Sequence, residues 1–161
     1  EIGELPLDLQ AKLVTEMLET RPESQRSGSA VLFSAHGLPQ SVVAKGDPYP
    51  EETAATVKAV IERIPYEIDA RLGYQSRTKP VKWIGPGTED VLAEFAGDGF
   101  DTVGMVAVSF VTDHIETLYE VDMLFRDEAE KVGIHNYYRS EMMNDRPEVG
   151  PMLADVLEDS L

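Results

Sequence analysis

Cysteine is absent from the 161 residues. That removes disulfides, thiolate zinc sites, cysteine nucleophiles and Cys-ligated iron–sulfur clusters from this segment. Cations are scarce: Lys and Arg total 14 against 30 Asp and Glu, a formal net charge of −16. Nucleic-acid binding depends on cations that neutralise phosphates, so no nucleic-acid partner is expected. Charge alone does not draw the chain to an anionic membrane surface either, and an acidic surface mostly serves solubility. No apolar run approaches the roughly 20 residues that span a bilayer, and no signal-peptide pattern opens the chain. The Gly-x-x-x-x-Gly-Lys phosphate loop, the Gly-x-Gly-x-x-Gly fingerprint and the Gly-x-Ser-x-Gly elbow are all missing, which disfavours the common nucleotide and hydrolase chemistries. Gly85-Pro-Gly87 is too short a signal to suggest a nucleotide. The first residue is Glu1, not Met, so the chain is read as a piece of a longer protein.

What is present is a regular alternation. Leu7, Leu9, Leu13, Val14 and Leu18 recur at near-helical spacing from Pro6 to Arg21, followed by a polar linker over 22–29. Ala30 to Ser34 reads as a short buried strand ending in a loop, and Pro50 begins a second helix with Val57, Val60 and Ile61 on its apolar side. Arg71–Ser76 is a weaker strand, with few apolar positions. A third helix opens near Gly85, with Thr88 as the expected cap. Thr102–Ser109 is the clearest strand, and a long helix from about Asp113 to Lys131 follows, closed by Gly133. Ile134–Arg139 reads as a last strand. Pro151–Leu161 reads as a last helix with Met152, Leu153 and Val156 on its apolar side. Strands alternating with helices imply an α/β domain with a parallel sheet of about four strands and right-handed crossovers. Ligands bind such sheets beyond the carboxyl ends of the strands.

Two of the three histidines occupy that kind of position. His36 follows the first strand, beside Gly37, which permits close backbone approach, and Pro39, which stiffens the loop. It either serves a ligand or merely caps the strand end with a hydrogen bond. His114 follows the strongest strand, within Thr112-Asp-His114-Ile-Glu116-Thr-Leu-Tyr-Glu120-Val-Asp122. On a helix Glu116 and Glu120 stand at i and i+4, on one face. Imidazole and carboxylate together suit a borderline divalent metal and proton transfer. The spacing alone favours a plainer account, in which acids settle in a helix's first turn for its dipole. His135 lies near a strand start with no acidic motif around it and reads as structural.

At this point the residues resemble the ferrochelatase family. The blocks are Val31-Leu-Phe-Ser-Ala-His36-Gly-Leu-Pro39, Lys45-Gly-Asp-Pro-Tyr49, Tyr74-Gln-Ser-Arg77, Lys82-Trp-Ile-Gly-Pro86 and Ser109-Phe-Val-Thr-Asp-His114-Ile-Glu116-Thr-Leu-Tyr-Glu120-Val-Asp122. They keep the family's order and approximate spacing from about residue 30 to 145, fading after Tyr137-Tyr-Arg139 and Asn144-Asp145. The resemblance implies a three-layer Rossmann-like, chelatase-like domain. It implies a helix and linker over 1–28 from the preceding part of the protein and a C-terminal chelatase domain over 29–161. It implies insertion of ferrous iron into protoporphyrin IX or coproporphyrin III, with no cofactor beyond the substrate iron. His36 and Glu116 correspond to the family's catalytic and metal-facing pair across the pocket; His114 and Glu120 correspond to adjoining polar residues that orient the site or pass metal and protons. The expected partners are porphyrin, ferrous iron and the missing N-terminal half, in a cytoplasmic protein, peripheral to a membrane at most. No basic or amphipathic stretch here encodes membrane attachment. The alternatives are a non-catalytic half that binds porphyrin or metal, or a chelatase for another metal or tetrapyrrole. Two local departures stand out: Leu124, where many members place a third acid after Glu116 and Glu120, and Ala44, where a polar residue is usual.

Overall fold

The computed structural model describes residues 4–158. Helix α1 (Glu4–Glu19) leads through a single 3₁₀ turn (Glu23–Gln25) into β1 (Ser29–His36). There follow a short helix α2 (Gln40–Val43), α3 (Tyr49–Ile61), β2 (Ile68–Gln75), α4 (Thr88–Gly97) and β3 (Thr102–Ala107). A π-helix (Glu116–Leu124) runs directly into α5 (Phe125–Val132), and β4 (Asn136–Arg139) and α6 (Val149–Glu158) close the described chain. The four strands form one all-parallel sheet in the order β2-β1-β3-β4. The expected parallel α/β architecture is what the chain adopts.

Side-chain alternation along the central strands explains the three layers. Val31 and Phe33 of β1 and Val106 of β3 face α1 and α3, where they meet Val14, Met17, Leu18, Val57 and Val60. Ala30, Leu32, Val103 and Met105 point the other way, against Val91, Leu92 and Phe95 of α4 and against Val121, Phe125 and Ala129. β1 is buried along almost its whole length, as a central strand covered on both faces must be. α1 also packs its second apolar row, Leu9 and Leu13, on Met143 and Met152. All five of its expected core residues are buried.

Several expectations need correction. β1 runs two residues past Ser34, so His36 ends the strand instead of lying in the loop after it. α2 was not expected, because four residues are too few to show a period. The N-cap of α4 is Gly87; Thr88 is the first helical residue, and its hydroxyl is spent on a buried partner. The helix after β3 opens with π winding instead of α winding. In α6, Met152 is buried but Leu153 is half exposed, and the Val156 side chain lies outside the described residues. Gly133 does close α5, at φ 101°, in the left-handed region where a side chain would strain. Among the described residues no helix is long and apolar enough to cross a membrane.

The order β2-β1-β3-β4 reverses direction between β1 and β3. β1 continues into α3 on one face of the sheet, and β3 continues into the π-helix on the other. The two loops therefore part above a crevice at the carboxyl ends of β1 and β3, the place where such sheets bind ligands.

Candidate active site

His36 stands at that crevice because both its backbone groups are pinned from neighbouring elements. Its N–H donates to Ser109 Oγ at 2.8 Å, in the loop after β3, and its carbonyl accepts from Tyr49 Oη at 2.8 Å, at the start of α3. Its ring meets Phe110 edge-on, with centroids 6.2 Å apart. The imidazole Nδ1 is 3.3 Å from Glu116 Oε2, at the first turn of the π-helix. The pair is in contact yet off the line of a hydrogen bond, and Nδ1 itself is sealed from solvent. Since the side chain as a whole keeps 37% exposure, the open edge of the ring is the one away from Glu116.

The loop Ser109–Ile115 is fixed mainly at Asp113. Its N–H donates to Asn144 Oδ1 (2.8 Å), its Oδ2 accepts from Asn144 Nδ2 (2.9 Å), and its Oδ1 accepts from Thr117 Oγ1 (3.1 Å) and pairs with Arg139. Burial pushes the Asp113 carboxyl up, but the Asn144 amide, the Arg139 charge and the Thr117 hydroxyl outweigh it and hold it below its ordinary value. Asp113 thereby sets the position of its neighbour. His114 Nδ1 accepts the Glu116 N–H at 3.2 Å, and its ring lies 4.7 Å from Phe110, centroid to centroid. His114 is thus linked to His36 through the Phe110 ring on one side and through Glu116 on the other.

Glu120 turns elsewhere. Its Oε2 accepts three hydrogen bonds: from Ser76 N (3.0 Å), Ser76 Oγ (2.9 Å) and Gln75 Nε2 (3.2 Å), at the carboxyl end of β2. Gln75 is the register partner of His36 across the β1–β2 ladder, so the carboxylate lies one strand over from the imidazole. Leu124 continues the same helix row but packs against the core.

The structure therefore brings His36 and Glu116 together, places His114 beside them behind Phe110, and puts Glu120 one strand away. His135 stays apart; its amide bonds Asp101. Sequence reasoning gave no role to Tyr49, Ser109, Phe110, Gln75, Ser76, Asp113, Arg139 or Asn144, although all eight lie in or beside the recognised blocks. Among the described residues no three His, Asp or Glu side chains converge as a metal cage. A cation would meet few donors here, which suits transfer better than storage.

Gly37 closes the crevice floor. Its N–H donates to Gln75 O at 2.9 Å, and a Cβ there would lie 2.8 Å from that same carbonyl. The obstacle is backbone, so it cannot simply rotate aside. Gly37→Ala is expected to cost about 1–3 kcal/mol, as overpacking does, read as a lower urea midpoint at unchanged slope. An unchanged midpoint would show that the β1–β2 ends can part freely.

The chain matches a protein-family model described as Ferrochelatase over residues 7–161. Ferrochelatase of Geotalea daltonii is 45% identical over 135 residues, covering 84% of this chain and 42% of that protein. Human mitochondrial ferrochelatase is 40% identical over 145 residues, covering 89% of this chain and 34% of that protein. The chain thus spans roughly two fifths of the length of these curated relatives or less. Among solved structures, a protein from Marinobacter aquaeolei described as a putative cobalamin biosynthesis CbiX protein superposes with a TM-score of 0.58 at 15% identity. It covers 82% of this chain and 96% of that one, a likeness of fold alone.

Proposed function

Because this chain belongs to the ferrochelatase family, we propose that it supplies the metal- and proton-handling side of a ferrochelatase. The reaction is insertion of ferrous iron into a porphyrin, protoporphyrin IX or coproporphyrin III, and it needs no cofactor beyond the substrate metal. The observation that carries this reading is the His36–Glu116 pair, 3.3 Å apart, set at the end of β1 and the start of the π-helix, at the sheet's switch point.

A free-base porphyrin loses two pyrrolic protons as the metal enters, so a base must stand over the ring. With Nδ1 of His36 sealed against Glu116, the exposed edge of the imidazole is the one that can accept a proton. The Glu116 carboxylate, 36% exposed, can stabilise the imidazolium that forms, and can offer an oxygen to the incoming cation. His114, held by the Glu116 amide, orients that turn. Glu120, reached one helical turn later, is a further oxygen ligand on the cation's way. With Leu124 apolar, the row of acids stops there.

The porphyrin would sit over the crevice, with the remaining length of the protein forming the opposite wall. The hollow behind His36, about 250 Å³ and lined by Tyr49, Thr53, Val108 and Ser109 among others, is too small to enclose a macrocycle. The deciding experiment is zinc or ferrous iron insertion into a free-base porphyrin, followed by absorbance, for the full-length protein and its His36→Ala variant. The full-length protein should turn over, and the variant should lose at least about a hundredfold, the typical worth of a positioned base. A full-length protein that binds porphyrin but inserts neither metal would leave a binding half-domain as the reading.

A further inference from the structure

Behind Glu120 runs a buried polar chain that the reading above does not use. Gln75 is 1% exposed, and Ser34 and Thr88 are fully buried. Gln75 Nε2 donates to Glu120 Oε2 at 3.2 Å, while its Oε1 accepts from Ser34 Oγ at 2.8 Å. Ser34 Oγ lies 2.9 Å from Thr88 Oγ1. Ser34 has a single hydroxyl proton. Since that proton goes to Gln75, the proton in the Ser34–Thr88 bond must be the one on Thr88. Every donor therefore points the same way, from Thr88 to Ser34 to Gln75 to Glu120.

We propose that this directional chain is a positioning device: it fixes the Gln75 amide so that it can only donate to Glu120, and so holds the carboxylate with one oxygen locked and the other free. Oε2 is filled by Gln75 and Ser76, whereas Oε1 has no partner among the described residues. Oε1 is then the single oxygen presented to a cation, and a one-oxygen ligand releases what it holds. Gln75 is too deeply buried to touch a substrate, so its effect passes through Glu120. Three buried polar groups in line are costly unless all are satisfied, and chains of this kind polarise one another. An amide left without Ser34 could flip, turning its oxygen toward the carboxylate.

This inference rests on Glu120 belonging to the site, and the experiment separates the two. In the full-length protein, zinc insertion into a free-base porphyrin is measured against zinc concentration for Glu120→Gln, Ser34→Ala, Gln75→Met and the doubles with Glu120→Gln. Ser34→Ala and Gln75→Met should each raise the KM for zinc about tenfold, the worth of a charge-assisted hydrogen bond, with kcat within about twofold of wild type. In the Glu120→Gln background both should add nothing, because the group they position is already gone. A lowered melting temperature with an unmoved KM, or full additivity with Glu120→Gln, would overturn the positioning role. Wild-type kinetics for Glu120→Gln would instead remove Glu120 from the site. Should Gln75→Met fail to fold, Ser34→Ala deletes a single oxygen and carries the test alone.

Discussion

Glu116→Gln in the full-length protein should lower the kcat of metal insertion by about two to four orders of magnitude, the range in which positioned acid–base groups act, while leaving the unfolding midpoint in place. The substitution keeps the shape and removes the charge. What depends on the charge is the contact with His36 Nδ1, 3.3 Å away and buried at that edge. What holds the local fold does not depend on it. The Glu116 backbone N–H bonds His114 Nδ1, and the loop is tied by Asp113, Asn144 and Arg139. The side chain is also 36% exposed, so the amide meets water and no unpaired polar group is buried. Loss in kcat without a matching rise in KM for porphyrin would place the carboxylate in the transition state. Wild-type turnover would make the His36–Glu116 contact incidental, and the activity would have to be sought elsewhere on the sheet edge.

The sequence shows the sheet because β1 and β3 are short apolar runs bounded by turn residues, and their length and flanks favour central parallel strands over buried helix segments. β2 is harder to see. As an edge strand it carries Asp69 and Arg71, the arginine pairing with both Asp69 and Asp98, and its apolar count falls accordingly. The π winding of Glu116–Leu124 could not be read at all. The buried row there is Thr117, Val121, Phe125 and Ala129, every fourth residue. Four residues overshoot an α turn by about 40°, and they fall short of the wider π turn. A π segment followed by an α segment cancels the two drifts and keeps the row on the sheet. Spacing alone reports only a helix. Of the site, His36 and His114 were legible as chemistry-bearing types past strand ends, and Glu116 and Glu120 as acids on one face of the helix that follows. Spacing did not give their pairing, which came only from the family resemblance, since whether Glu116 or Glu120 faces His36 is decided by winding and by Ser76. Gln75, Ser34 and Thr88 were invisible for a further reason: small polar residues inside a strand and a first helical turn give no pattern that separates a buried network from an ordinary surface.

The winding itself should depend on Arg139. This residue ends β4, is 12% exposed, and pairs through Nη2 with Asp113, just before the π-helix, and through Nε with Asp122 inside it, at 2.8 Å though off the line of a hydrogen bond. It therefore clamps the segment that carries His114, Glu116 and Glu120 from both sides. Arg139→Ala leaves two carboxylates partly buried without their cation. The expected cost is about 2–4 kcal/mol, less than for a fully buried pair because Asp113 and Asp122 keep 27% and 33% exposure. Arg139→Lys should recover only part of this, because a single ammonium cannot serve two carboxylates as the guanidinium fork does. The pH dependence gives a separate check. The Asp113 carboxyl is held below its ordinary value of 3.8, so its contribution to stability is present above that pH and is lost as pH falls through the lowered folded value. Burial acts in the opposite sense, and Arg139 supplies two of the four interactions that overcome it. In Arg139→Ala the loss of stability between about pH 4 and pH 2 should accordingly shrink, measured by urea unfolding of variant and wild type across that range. An unchanged acid slope would mean that Asn144 and Thr117 alone hold Asp113. The clamp would then be an ordinary surface ion pair, and the placement of Glu116 over His36 would have to come from core packing of Thr117 and Val121.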